Sequence, residues 1–163
     1  MDRKIIHVVG TGTIGEPLIG LLCDFQDQLG IDEITFHKNS ALSSDQSKVV
    51  GLIKRGGRLC VDSNKVDDFK ALDLDPDFDT EEAIKRATVV IDCTPRGIGH
   101  KNKEKYYHKF MKGGKGFLAQ GSESGFGKKY ARRINDATLN SDDQFIQIVS
   151  CNTHNLCCIT QTL

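Results

Sequence analysis

The sequence has no surplus of either charge: 22 Lys and Arg balance 22 Asp and Glu over 163 residues. No basic excess argues for nucleic acid or an anionic membrane surface as a partner. Long apolar runs are missing too. The longest are strand-like segments, far below the ~20 residues of a membrane span. The opening residues, Met1-Asp2-Arg3-Lys4-Ile5-Ile6, lack the extended apolar stretch of a secretory signal. The six cysteines (23, 60, 93, 151, 157 and 158) are too sparse for a disulfide framework and show no paired C-x-x-C spacing for zinc. No two of the histidines stand at metal-ligand spacing, so no metal site is expected. The cytosol is then the expected compartment, with most cysteines serving as small buried apolar residues.

What is present is an alternation of short apolar runs and helical patterns. Strands are expected at Lys4–Val9, Asp32–His37, Arg58–Val61, Thr88–Ile91, Gly116–Ala119 and Phe145–Val149. Between them, Ile14, Leu18, Leu21, Leu22 and Phe25 recur at helical spacing up to Gly30. Further helices are expected over Asp45–Lys54, from Thr80 as cap, over Asn102–Met111 and after Cys151, with a weak one at Val66–Leu72. Asp73–Asp79 and 124–129 read as loops, with a short helical piece after the second. Such an alternation gives an α/β fold: a doubly wound, mostly parallel sheet with helices on both faces.

Gly10-Thr11-Gly12-Thr13-Ile14-Gly15 matches G-x-G-x-x-G between the first strand and the first helix. Gly10 permits the tight turn, Gly12 lets backbone approach a diphosphate, and Gly15 lets helix and strand pack closely. The helix N-terminus supplies free N–H groups and positive partial charge. Glu16 is out of character beside a diphosphate and is expected to face solvent. The second strand ends Phe36-His37-Lys38-Asn39-Ser40, without the acid that binds the ribose hydroxyls of NAD. Lys38, with Asn39 and Ser40, suits a 2′-phosphate, which points toward NADP or dual use; a solvated loop lysine is the competing reading. His7 reads as a strand residue inside the sheet, His37, His100 and His108 as loop or helix-surface residues, and Tyr106 and Tyr107 as helix packing.

Cys151 falls where the last strand meets a helix N-terminus. There the dipole and free amides favour a thiolate, and a thiolate attacks carbonyl carbon. Cys157 and Cys158 read as buried spacers. Together, VGTGTIG at 9–15, DCTPRGIGHKNKEKYY at 92–107, LAQGSE at 118–123 and VSCNTHNLC at 149–157 resemble the archaeal-type (class II) phosphorylating glyceraldehyde-3-phosphate dehydrogenases.

The resemblance implies a Rossmann-type dinucleotide-binding domain over 1–150. Residues 151–163 would then be the nucleophile and the start of the following helix, truncated before a catalytic domain. It implies Cys151 as the residue that forms a thiohemiacetal with glyceraldehyde 3-phosphate and then a thioester. Hydride passes to NADP or NAD, and inorganic phosphate releases 1,3-bisphosphoglycerate. Ser150 and Asn152 flank Cys151 and match substrate contacts, and an amide of Cys151 or Asn152 suits an oxyanion. Thr13, Ile14, Thr94, Pro95 and Gly121 match cofactor contacts, and Lys38 and Asn39 match the site for the adenosine phosphate.

The sequence departs from the family at His154 and Asn155, where threonine and glycine are usual, and at Ser122, where glycine is usual. The family's general-base histidine and phosphate-binding residues lie in the second domain, so this stretch alone is expected to be inactive and its parent a homotetramer. Competing readings are a related cysteine-dependent aldehyde dehydrogenase, of aspartate-semialdehyde or erythrose-4-phosphate type, or a stand-alone nucleotide-binding or redox-sensing module.

Overall fold

Among the described residues, eight strands lie side by side, every neighbouring pair parallel, in the order β4-β3-β2-β1-β5-β6-β8-β7. The computed structural model describes residues 3–111 and 114–162. The strands are β1 (Ile5–Val9), β2 (Glu33–His37), β3 (Arg58–Val61), β4 (Phe78–Asp79), β5 (Val89–Asp92), β6 (Gly116–Ala119), β7 (Lys128–Tyr130) and β8 (Phe145–Ile148). The helices are α1 (Gly15–Asp24), α2 (Gln26–Leu29), α3 (Gln46–Lys54), α4 (Val66–Lys70), α5 (Thr80–Arg86), α6 (Ile98–Lys105) and α7 (Cys151–Thr162). Among the described residues, no helix is long and apolar enough to cross a membrane.

Parallel strands must be covered on both faces, and alternation along each strand supplies two cores. On one face Val8, Ile34, Phe36, Leu59 and Val61 meet Ile19 of α1, Val49 and Leu52 of α3 and Phe69 of α4. On the other, Val9, Val90, Phe117 and Ala119 meet Ile84 of α5, together with Tyr107 and Phe126. Tyr107 is fully buried and stacks on Phe117 with ring centroids 5.0 Å apart. β1 is central, with β2 on one side (Ile5 opposite Glu33) and β5 on the other (Val9 opposite Asp92). The direction of winding reverses between β1 and β5, and ligands bind such sheets at the carboxyl ends of the strands beside that reversal.

Several expectations are corrected. The acidic stretch before α5 contains the edge strand β4, and β7 begins inside the segment read as loop. The first helix breaks at Phe25 and resumes as α2, which Gly30 terminates in the left-handed conformation. The cap of α5 is Asp79, whose carboxylate accepts the Glu82 amide at 2.9 Å; Thr80 is the first helical residue and turns its hydroxyl elsewhere. α6 starts at Ile98, before the expected Asn102, and gives way to a 3-10 turn over Tyr107–Phe110. His37 is a buried strand residue, because β2 pairs with β3 through it. Cys23, Cys60 and Cys93 are buried, whereas Cys158 is exposed and Cys157 half-buried on α7, a helix with no buried residue among those described.

Candidate dinucleotide-binding cleft

A cleft of about 1040 Å³ opens at the carboxyl ends of β1, β2 and β5. Its floor is the glycine turn. Gly10 has φ +95°, a conformation that a side chain would strain, and a Cβ there would press on the Cys93 carbonyl at 3.3 Å. Gly15, at the start of α1, lies so close to the Gly10 carbonyl that a Cβ would overlap it. A Cβ at Gly12, by contrast, would meet nothing within 4 Å. The turn is therefore closed underneath and open toward the cleft, which leaves room for a ligand against the backbone.

α1 has no side-chain cap; in its first turn the Glu16 amide donates to the Gly12 carbonyl at 3.0 Å and Pro17 has no N–H, which leaves the Gly15 amide for a ligand. The N-terminus of α6 differs. Buried Glu123 accepts the amides of Gly97 and, at 3.2 Å, of His100, and so fills that helix end with the protein's own carboxylate. Of these two helix N-termini, α1 is the one available to an external anion such as a diphosphate.

The wall beyond β5 is held by Asp92, which has no exposed surface. It accepts hydrogen bonds from Tyr107 Oη (2.6 Å), Asn102 Nδ2 (2.9 Å), the Thr94 amide (3.0 Å) and the Thr94 hydroxyl. Gln120 Nε2 donates to the Thr94 carbonyl at 2.9 Å. Thr94 and Pro95 are thus fixed at the cleft edge from behind. Cys93 also lines the cleft, but burial, with Asp92 beside it, pushes its thiol up to about 12. Burial does the same to Cys60, again to about 12, and raises Cys23. The buried cysteines are therefore protonated at neutral pH and are not nucleophiles.

Most of the expected cofactor residues meet in one place: Gly10, Gly12, Thr13, Ile14, Lys38, Asn39, Thr94 and Pro95 all line the cleft, with Gly15 packed behind them. Glu16, expected to face solvent, also lines it and pairs with Lys48 at 3.7 Å.

Residues that sequence reasoning missed complete the wall. Asp62, one residue past β3, is 3.5 Å from His37 Nε2 and accepts the Thr80 hydroxyl at 2.6 Å. The neighbouring His37 imidazole and, after it, Thr80 hold the Asp62 carboxyl well below the usual carboxylate range. An acid does stand at this corner, then, but it comes from the strand next to the one where the sequence rule looks.

Gly121, Ser150, Cys151 and Asn152 do not line the cleft. Gln120 is part of the cleft wall, and the next residue, Gly121, abuts the Ser150 backbone so closely that a Cβ would collide with it. Ser150 Oγ accepts the Thr153 amide at 3.2 Å, capping α7. Cys151, first residue of α7, is exposed, its sulfur 3.9 Å from Asn152 Oδ1. His154 Nε2 lies 3.1 Å from the Arg132 carbonyl.

Glycine turn, uncapped α1 and strand order together define a Rossmann-type nucleotide-binding domain. Comparison of the sequence with curated proteins refines that class. The chain is 32% identical over 163 residues to glyceraldehyde-3-phosphate dehydrogenase 1 of Methanosarcina acetivorans, a match that takes in 96% of this chain and 44% of the relative. It is 29% identical over 153 residues to the glyceraldehyde-3-phosphate dehydrogenase of Pyrobaculum arsenaticum, with 91% and 40% covered, and 27% identical over 168 residues to that of Methanococcoides burtonii, with 100% and 46% covered. No protein-family model matches. The chain is therefore a relative of the archaeal glyceraldehyde-3-phosphate dehydrogenases and spans less than half the length of these curated proteins.

The turn itself supplies a first test. Gly15→Ala should force α1 away from Gly10, lowering stability by about 1–3 kcal/mol and weakening dinucleotide binding. Urea unfolding and a cofactor titration measure the two effects, and an unchanged unfolding midpoint would contradict the packing described.

Proposed function

We propose that residues 1–150 form the dinucleotide-binding part of a phosphorylating glyceraldehyde-3-phosphate dehydrogenase, and that residues 151–163 carry its nucleophile and the start of the next helix. The reading rests above all on the glycine turn and uncapped α1 at the carboxyl ends of β1 and β5, open where a diphosphate would lie. Thr13 and Ile14 would offer backbone amides to the diphosphate. Lys38 and Asn39 would face the adenosine ribose, and Thr94, Pro95 and Gly121 would border the nicotinamide end. The cofactor, NADP or NAD, accepts a hydride when bound.

In the whole enzyme, the Cys151 thiolate attacks the aldehyde carbon of glyceraldehyde 3-phosphate, and the carbonyl oxygen becomes an oxyanion. Exposure at the first turn of α7 gives the sulfur access and the favourable end of a helix dipole. Amides of Cys151 or Asn152 are the nearest donors for the oxyanion, with Ser150 and Asn152 beside the substrate. Loss of hydride from that carbon leaves a thioester on Cys151. Inorganic phosphate attacks it, releasing 1,3-bisphosphoglycerate and returning the thiolate. The base and the substrate-phosphate site belong to a further domain, so the 163-residue chain is expected to bind cofactor without turnover. The enzyme is expected to work in the cytoplasm as a homotetramer.

Titration calorimetry of the chain with NADP and NAD tests the first half of this reading, and saturable binding of at least one is expected. Assay of a full-length relative-sized protein tests the second. Cys151→Ser should reduce turnover at least a thousandfold while cofactor affinity stays within about twofold. Full activity in that variant would refute the role given to the sulfur.

A further inference from the structure

Lys38 is the cation that the sequence offers to a 2′-phosphate, yet its charge is already met. Its ammonium donates to Asp45 Oδ2 at 2.6 Å, and only 13% of its side chain is exposed. Asp45 ends the 3-10 turn Ser43–Asp45 that leads into α3, so the carboxylate arrives from a separate element and lines the same cleft. The hydrogen bond from Lys38 holds the Asp45 carboxyl below its ordinary range, so Asp45 is a carboxylate at neutral pH. The neighbouring cations are also engaged. Lys48 pairs with Glu16, and Lys65 donates to both the carbonyl and the side-chain oxygen of Asn39 at 2.7 Å while standing 3.6 Å from Asp62.

We infer that Asp45 is a specificity-determining residue of this cleft: by neutralising Lys38 it suppresses a preference for the 2′-phosphate of NADP and keeps the site open to NAD. The inference rests on the reading of the cleft as a dinucleotide site. A phosphate monoester carries about −1.5 to −2 charges at neutral pH. An oxygen that accepts from the Lys38 ammonium must share it with Asp45 Oδ2, which brings the two anions within about 5–6 Å, two hydrogen-bond lengths. At that separation in a partly desolvated cleft the repulsion is substantial. The uncharged 2′-hydroxyl of NAD meets no such opposition. Asp45 thus acts on the 2′ substituent alone, through its charge, and Lys38 becomes a phosphate ligand to the extent that Asp45 releases it.

Titration calorimetry of the chain with NAD and with NADP, for wild type, Asp45→Asn, Asp45→Ser and Asp45→Asn/Lys38→Met, tests this. Far-UV circular dichroism verifies that each variant is folded. Removing the carboxylate should shift the ratio of the two dissociation constants toward NADP by about tenfold, the change residing in the NADP affinity and weakening with added salt. Adding Lys38→Met should abolish that gain. If wild type binds a dinucleotide but neither Asp45 variant moves the ratio, or both move it toward NAD, the inference is overturned and the dinucleotide reading survives. Failure of wild type and variants to bind either cofactor would overturn both.

Discussion

Asp92→Ala should destabilise the domain by about 3–5 kcal/mol, as loss of a buried acceptor shared by several donors does. Asp92 is fully buried, and it is the common acceptor for Tyr107 Oη, Asn102 Nδ2 and the Thr94 amide and hydroxyl. Alanine leaves those donors buried without an acceptor, at about 1–3 kcal/mol each before relaxation. The three donor residues come from three places: the turn after β5, the middle of α6 and the 3-10 turn that follows it. Their common acceptor is what ties α6 to the cleft edge. The variant should therefore also lose dinucleotide affinity, through the freed Thr94–Pro95 segment. Asp92→Asn, which keeps the shape and one acceptor oxygen, should recover part of both losses. Urea denaturation gives the stability and calorimetry the affinity. A loss below about 1 kcal/mol would mean that water replaces the carboxylate and that the cleft edge is held otherwise.

The second large effect is on acid stability. His7 sits on central β1 with no exposed surface, its Nδ1 2.7 Å from Thr35 Oγ1. That hydroxyl donates to the Ile6 carbonyl at 3.4 Å, so it accepts from a protonated Nδ1, and Nε2 is left without a partner. Burial, helped by His37 and Lys115 nearby, lowers the His7 pKa from 6.5 to about 3. Below pH 6.5 the unfolded chain takes up a proton that the folded chain refuses, so stability falls as pH falls from 6.5 toward 3. The full shift corresponds to a loss on the order of 5 kcal/mol. Asp62, with Asp24, Asp45 and Asp143, whose pKa values are also lowered from 3.8, acts in the same direction but mainly below about pH 5. The histidine therefore dominates the interval between 6.5 and about 5. His7→Gln, which cannot charge, should flatten stability across that interval, as read from urea midpoints at successive pH values. An unchanged slope would assign the acid response to other groups.

The sheet was legible in the sequence because its strands are short β-branched or aromatic runs bounded by turn residues, as at Ile5–Val9 and Val89–Asp92. β4 was not legible: two residues carry no periodicity, and Phe78 and Asp79 become strand only by lying beside Cys60 and Val61. Asp79 and Thr80 are both competent caps, and what decides between them is tertiary, because the Thr80 hydroxyl is taken by Asp62. The site divides in the same way. The glycine turn is contiguous, so its chemistry can be read directly. Asp62, Thr80 and Gln120 reach the cleft from just beyond three other strands, β3, β4 and β6, and only the order of strands brings them there. His37 has a similar history, being at a strand end by sequence yet buried through its pairing with Cys60.

The central place of β1 also bears on how the protein is made. Its two flanking strands come from very different points in the chain, residues 33–37 and 89–92. On a ribosome the segment through β3 can pair and cover one side of β1 while β5 is still being synthesised. Until Asp92 has emerged, the amides and carbonyls that β5 will take along Ile6–Val9 stay unpaired, and an open edge of this kind invites strands from neighbouring nascent chains. Translation speed across residues 62–92 thus sets how long that edge waits.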